Sequence, residues 1–135
     1  MKQFNCLSCD KLKDISHRSI NKYCSLKCQQ DFIFKQKFKL FLDDKLNIFI
    51  HHNATRKALI HRDGNKCSVC NIENWQNKAI VFEVEHKDGN SSNHIASNLC
   101  LICPNCHSQT ATYKGKNKGK GRHARMQRYR DGKSF

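Results

Sequence analysis

Apolar residues are scarce in this 135-residue chain, at 38%, where globular domains usually carry about 45–50%. That shortage argues against one large oily core and for a small fold that needs staples. No stretch approaches the roughly 20 apolar residues of a membrane span. The N-terminal Met1-Lys2-Gln3-Phe4-Asn5-Cys6 carries no apolar run of the kind that drives export. Acidic residues are few, 11 against 25 Lys and Arg. What is plentiful is cysteine, nine in all. In a chain expected to stay in the cytoplasm, paired cysteines bind metal more often than they form disulfides.

Charge is unevenly spread. Residues 1–66 hold 14 basic and 6 acidic groups, residues 67–112 hold 2 and 4, and residues 113–135 hold 9 and 1. Two basic flanks therefore enclose a slightly acidic, cysteine-rich centre. A polyanion such as DNA is the natural partner for flanks of this density, and simple solubilisation is the bland alternative.

Along the chain, Cys6-Leu-Ser-Cys9 and Cys24-Ser-Leu-Lys-Cys28 form two knuckles that suit one structural Zn²⁺. They read equally well as a DNA-contacting finger and as a plain clip. From Ser25, a suitable N-cap, Phe34, Phe38, Phe41 and Leu42 repeat at helical spacing. Phe32, Phe34, Phe38, Leu40 and Leu42 also fit a strand, and the lack of turn signals favours helix. An aromatic stripe there permits a homodimer through residues 29–46. A second helix is expected over Ala54–His61, capped by Asn53 and ended at Asp63-Gly64.

The centre is more ordered in pattern. Cys67-Ser-Val-Cys70 is followed by a strand over Ile80–His86 and a polar loop from Lys87 to Ser97. A buried strand, Leu99–Ile102, returns to Cys103-Pro104-Asn105-Cys106-His107, which opens a helix on Pro104. Cys67, Cys70, Cys103 and Cys106 have the spacing of a second Zn²⁺ site tying a hairpin to a helix. Cys100 needs no role beyond that of a buried, apolar-like thiol. The expected division is a zinc knuckle at 1–30, a helical linker at 31–66, a central module at 67–113 and a tail at 114–135. The tail alternates Gly and Lys and is expected to be flexible, with Arg122–Arg130 able to form a helix on DNA.

The run Val84-Glu85-His86-Lys87-Asp88-Gly89-Asn90, then Asn98-Leu99, then Cys103-Pro104-Asn105-Cys106-His107, resembles the HNH endonucleases, or ββα-metal nucleases. Residues 67–121, through Ser108-Gln109-Thr110-Ala111-Thr112-Tyr113-Lys114-Gly115-Lys116-Asn117-Lys118-Gly119, look like short zinc-bearing phage and bacterial members. Tyr23-Cys24-Ser25 and Cys28-Gln29 extend a weaker likeness towards the N-terminus. The resemblance implies an α+β fold with a ββα-metal centre. It implies Glu85 and His107 as ligands of a catalytic metal, His86 as general base and Asn98 as the residue that holds loop and base. His94 departs from the pattern, where such proteins more often carry a second asparagine after Asn93. A bacterial cytoplasm and a phage or mobile-element origin go with the likeness.

The chemistry is coherent in itself. A neutral imidazole of pKa near ~6.5 accepts a proton from water, and one divalent ion can relieve charge on phosphate and leaving oxygen. A carboxylate with an imidazole suits Mg²⁺ or Mn²⁺ and admits Ni²⁺ or Co²⁺. Strand neighbours face opposite sides, so Glu85 and His86 require the backbone to leave strand geometry at His86. Lys114, Lys116, Lys118, Lys120, Arg122, Arg125, Arg128 and Arg130 are the expected phosphate contacts. His51, His52, His61 and His123 default to solvated or phosphate-contacting roles. Two other functions fit less of the pattern: a non-catalytic zinc DNA-binding protein and a nuclease for branched DNA.

Overall fold

The structure is a computed structural model that describes residues 2–15, 22–44 and 47–133. Met1, residues 16–21, 45–46 and 134–135, which include parts of the segments expected at 1–30, 29–46 and 114–135, lie outside the described residues. The chain divides into two compact units, residues 1–40 and 41–135. Among the described residues the architecture is α+β, built from helices, three two-stranded sheets and two cysteine clusters. None of the described helices is long and apolar enough to cross a membrane.

In the first unit β1 (Gln3–Asn5) pairs antiparallel with β2 (Leu12–Asp14). The turn between them carries Cys6 and Cys9, and α1 (Leu26–Leu42) follows Cys24. Ser25 caps this helix, its hydroxyl accepting the Cys28 N–H at 3.1 Å. The aromatic pattern is therefore helical: Phe34 and Phe38, one turn apart, stack with ring centres 5.8 Å apart. The homodimer that this stripe permits gains no support.

In the second unit Phe41 is fully buried and meets the ring of Phe49 edge-on at 5.3 Å. Next comes α2 (His52–Asp63), which buries Thr55, Ala58 and Leu59 at helical spacing. It starts one residue before the expected cap at Asn53, because His51 takes the extended cap conformation instead. The Thr55 hydroxyl secures that turn by donating to the Phe49 carbonyl at 2.6 Å. Gly64 ends the helix with a φ of 85°. Arg62 ties α2 to the central sheet through the carbonyls of Ala96 (2.6 Å) and Leu99 (2.8 Å).

A hairpin of β3 (Asn74–Trp75) and β4 (Lys78–Ala79) stands where the sequence indicated no strand. Its two-residue turn, Gln76-Asn77, has positive φ at both positions, the geometry that matches strand twist. Ile80 belongs to the mouth of this hairpin, its N–H donating to the Glu73 carbonyl at 3.2 Å. The central strand β5 consequently spans Glu83–His86 and does not start at Ile80. It pairs antiparallel with β6 (Leu99–Ile102), every residue of which is buried. Phe82, Leu99, Leu101 and Ile102 form the core beneath α2, together with Leu59. The ladder runs through His86 opposite Leu99, so the strand does not break at His86 as expected. It ends immediately after, where the Gly89 N–H turns back to the His86 carbonyl at 2.8 Å.

From β6 the chain enters α3 (Pro104–Ser108), with Pro104 at its start and the Cys103 sulfur accepting the Cys106 N–H at 3.4 Å. The expected flexible tail is folded. Lys114–Lys116 form a turn of 3₁₀ helix, and α4 spans Arg122–Arg130. Polar bonds explain this order where composition indicated none: Asn117 donates to the Gly89 carbonyl at 2.6 Å, and the Ser91 N–H donates to Lys120 at 3.3 Å.

Candidate active site

Two cysteine quartets, Cys6/Cys9/Cys24/Cys28 and Cys67/Cys70/Cys103/Cys106, each bring four sulfurs within 4.8 Å of one another. Sulfur–sulfur separations include 3.6 Å for Cys9–Cys24, 3.4 Å for Cys24–Cys28 and 3.8 Å for Cys70–Cys103. Sulfurs at tetrahedral positions about 2.3 Å from Zn²⁺ would be about 3.8 Å apart, so both quartets could hold zinc. The two sites share one backbone design. Asp10 and Asn71, each just after a CxxC, have φ near 60° and return their N–H to the carbonyls of Cys6 (2.8 Å) and Cys67 (3.0 Å). Asp and Asn tolerate that left-handed conformation better than most residues. In both sites the first sulfur also accepts a backbone N–H at 3.3 Å, from Cys24 and from Cys103. Such donors favour the charged thiolate that a metal requires.

Beside the second quartet lies a cavity of about 630 Å³ lined by β5, the loop after it, α3 and the C-terminal segment. Glu83 and Glu85, two apart on β5, face the same side and meet the His107 ring. Glu85 Oε2 is 3.1 Å from His107 Nε2, and Glu83 contacts Nδ1 of the same ring. The Thr112 hydroxyl donates to the other oxygen of Glu85. Two donors about 2.1 Å from one ion at a right angle would stand about 3 Å apart, so Glu85 and His107 fit a divalent cation without rearrangement. Tyr113 packs edge-on against His107 with ring centres 5.1 Å apart.

His86 lines the same cavity. Glu85 and His86 both line it, although neighbours on a strand face opposite sides. The His86 ring meets His94 edge-on at 4.9 Å, and its Nε2 is buried with no partner. Burial, with the neighbouring His94 and Arg125, pushes the His86 pKa down to about 4, against an upward pull from Asp88. His94 is also shifted down by burial; its Nε2 lies 3.1 Å from the Ser91 carbonyl.

Asn98, 8% exposed, braces the loop. Its Oδ1 accepts the Asp88 N–H at 3.0 Å, and its Nδ2 donates to Asp88 Oδ1 and the Asn93 carbonyl, both at 2.9 Å. The Lys87 N–H bonds its carbonyl at 2.9 Å, so the residue after His86 is tied to Asn98. Glu85, His86, Asn98 and His107 are thus brought together around one strand end. Lys114, Arg122 and Arg125 also line the cavity, whereas Lys116, Lys118, Lys120, Arg128 and Arg130 do not. His52 reaches the cavity edge; His51, His61 and His123 do not. Sequence reasoning missed Glu83, although its alternation with Glu85 placed it on the same face. It also missed Thr112 and Tyr113, which no spacing distinguished.

No family model and no solved structure matches the chain. A stretch of 56 residues is 52% identical to the H-N-H endonuclease F-TflIV of Escherichia phage T5. That stretch covers 42% of this chain and 25% of the phage protein, so the chain spans about a quarter of the length of its relative. Over that stretch the chain is similar to an HNH endonuclease, the family its own motif resembles.

Proposed function

We propose that the protein is a metal-dependent DNA endonuclease with a ββα-metal centre formed by β5, β6 and α3. The observation that carries this reading is the 3.1 Å approach of Glu85 Oε2 to His107 Nε2 in the cavity that also holds His86. A divalent ion on that pair, Mg²⁺ or Mn²⁺ by ligand type and Ni²⁺ or Co²⁺ by imidazole tolerance, would neutralise charge on the phosphate and the departing oxygen.

The chain's own groups do the rest. Burial keeps His86 uncharged and able to accept a proton. Its Nε2 is enclosed, which leaves Nδ1 to meet water. As the water oxygen bonds to phosphorus, its proton passes to His86, the bond from phosphorus to the 3′ oxygen breaks, and that oxygen takes a proton from solvent water. The ends are then a 5′-phosphate and a 3′-hydroxyl. Asn98 fixes the loop that follows the base, and Glu83 orients His107, as carboxylates commonly do for metal-bound histidines. The zinc quartet at Cys67, Cys70, Cys103 and Cys106 anchors α3 and so His107. The first quartet, at Cys6, Cys9, Cys24 and Cys28, orders the N-terminal unit. Basic residues of the tail, Lys116, Lys118, Lys120, Arg128 and Arg130 among them, contact flanking phosphates.

Supercoiled plasmid with Mg²⁺ or Mn²⁺ tests this. Wild-type protein should nick or linearise it, and His86→Ala should not, while still binding DNA, because affinity comes mainly from backbone charge. Binding without cleavage by the wild type would leave a zinc DNA-binding protein. Preference for four-way over linear substrates would make it a branched-DNA nuclease.

A further inference from the structure

We propose that Arg125 is a catalytic residue that binds a non-bridging oxygen of the phosphate being cut, so that α4 forms one wall of the active site. This rests on the nuclease reading and deepens it.

The argument starts from where the C-terminal segment goes. A Gly/Lys-rich stretch should trail in solvent, yet four bonds fasten it to the loop after His86: Asn117 and Arg125 donate to the carbonyls of Gly89 and Ser91, and the Ser91 N–H and hydroxyl donate to the Lys120 carbonyl. The attachment leaves no slack. A Cβ on Gly89 would stand 2.8 Å from both Asn117 Oδ1 and Thr112 Cγ2. The Gly89 backbone therefore packs closely against the side chains of Asn117 and Thr112.

Arg125 is set by this contact. It lies in the first turn of α4, its N–H bonded to the Gly121 carbonyl at 3.0 Å. Its Nη1 donates to the Ser91 carbonyl at 2.7 Å, the oxygen that also meets His94 Nε2. Through His94 the guanidinium belongs to the shelf on which His86 rests. Its side chain lines the cavity with His86, Glu85 and His107. Its Nε is buried and has no hydrogen-bond partner. A buried N–H without a partner costs roughly 1–3 kcal/mol, more when charged, unless something else satisfies it. His86 Nε2 and His94 Nδ1, on two other side chains that line the cavity, are also buried without a partner.

Charge points to the ligand. The cavity is lined by acidic Glu83 and Glu85 and by basic Lys114, Arg122 and Arg125. Phosphodiester hydrolysis adds negative charge to the phosphate oxygens in the transition state. A fixed guanidinium presents planar donors matched to such oxygens. Because Arg125 is already held by Ser91, it costs little reorganisation when that charge develops. A lysine on a mobile tail would lack this advantage.

The test compares Arg125→Gln and Arg125→Lys with Arg130→Gln, which removes one charge from the same helix away from the cavity. Arg125→Gln should lower the single-turnover rate on saturating DNA by about 10²-fold or more, the usual loss for one transition-state donor. Its DNA affinity should fall no further than that of Arg130→Gln, and Arg125→Lys should recover only part of the rate. Thermal midpoint and Mn²⁺ affinity should match the wild type. A rate equal to that of Arg130→Gln overturns the proposal. So does a rate loss that tracks a lower midpoint or lost Mn²⁺, since Arg125 would then be a strut. A second readout needs no cleavage: the Arg125 Nε–H resonance should shift when a short single-stranded oligonucleotide is added. If wild-type protein never cuts but this signal shifts, the nuclease reading falls and the phosphate site stands. If it cuts and the signal stays still, the phosphate site falls alone.

Discussion

The His107 ring is held at both nitrogens, with the Glu83 carboxylate on Nδ1 and Glu85 Oε2 3.1 Å from Nε2. A carboxylate on the far nitrogen fixes the tautomer, aims the near nitrogen and makes it a better donor to metal. Glu83→Gln keeps the shape and loses the charge. It should weaken Mn²⁺ binding roughly 10–100-fold, by titration calorimetry, with the fold unchanged. Equal affinity in the two proteins would reduce Glu83 to a surface contact.

Each cysteine quartet should retain one zinc. Elemental analysis after mild EDTA dialysis is expected to find about two Zn per chain. Cys9→Ser should bring this to about one and leave plasmid cleavage measurable, whereas Cys70→Ser should remove cleavage as well. A wild-type value of one would eliminate the N-terminal site.

Gly89 has a φ of 71° and no room for a side chain. Gly89→Ala should therefore cost about 1–3 kcal/mol from the left-handed backbone alone. The added methyl group should also push Asn117 and Thr112 off the loop. The expected signature is a lower unfolding midpoint together with faster amide exchange across 114–125. A midpoint equal to wild type would mean the contact is loose.

Asp88 titrates below the ordinary carboxylate range. Burial raises its pKa, but hydrogen bonds from the Asn93 amide, the Asn90 N–H and the Asn98 amide outweigh that. A folded-state pKa below the unfolded value gives stability that is complete above about pH 4 and disappears as pH falls through the folded value. The gap in unfolding midpoint between wild type and Asp88→Asn should be widest near pH 6 and shrink towards pH 3. Acid also weakens thiolate–zinc bonds, which is why the gap, and not either midpoint, is the quantity to read. A gap independent of pH would assign the effect to shape.

Lys116, Lys118 and Lys120 lie outside the cavity and should act through long-range charge. Replacing all three by Gln should lower the salt slope of DNA binding by roughly 2–3, at about 0.9 per phosphate contact. The cleavage rate at saturating DNA should hold. An unchanged slope would show that these charges are idle.

How much of this was readable beforehand depends on which force set each feature. Cysteine spacing and Pro104 are local signals, so both quartets and the start of α3 were legible. Ser25 was legible as a cap for the same reason. The hairpin at Trp75–Lys78 was not, because its turn uses Gln76 and Asn77 at positive φ with no glycine to announce it. Ile80 and Val81 look like strand, but the bond from Ile80 to Glu73 commits that stretch to the hairpin. The tail was misread because composition reports the ability to bury apolar surface. Its order comes from side-chain amide and guanidinium bonds to carbonyls on a loop 28 or more residues earlier. Glu83 was within reach of period-two alternation, and the weight given to Glu85-His86 as a motif hid it.

One peptide bond joins Cys106 to His107, so α3 hands one residue to a sulfur cage and the next to an oxygen-and-nitrogen centre. Chelation experiments inherit an ambiguity from this. A strong chelator that strips the cage would also misplace the imidazole, and the lost activity would be credited to the wrong ion. Order of addition should then matter: Mg²⁺ alone should fail to restore a fully stripped sample, while Zn²⁺ followed by Mg²⁺ should succeed. Inhibitor assays should therefore give zinc-seeking compounds the profile of active-site poisons, although they act one residue away from the chemistry.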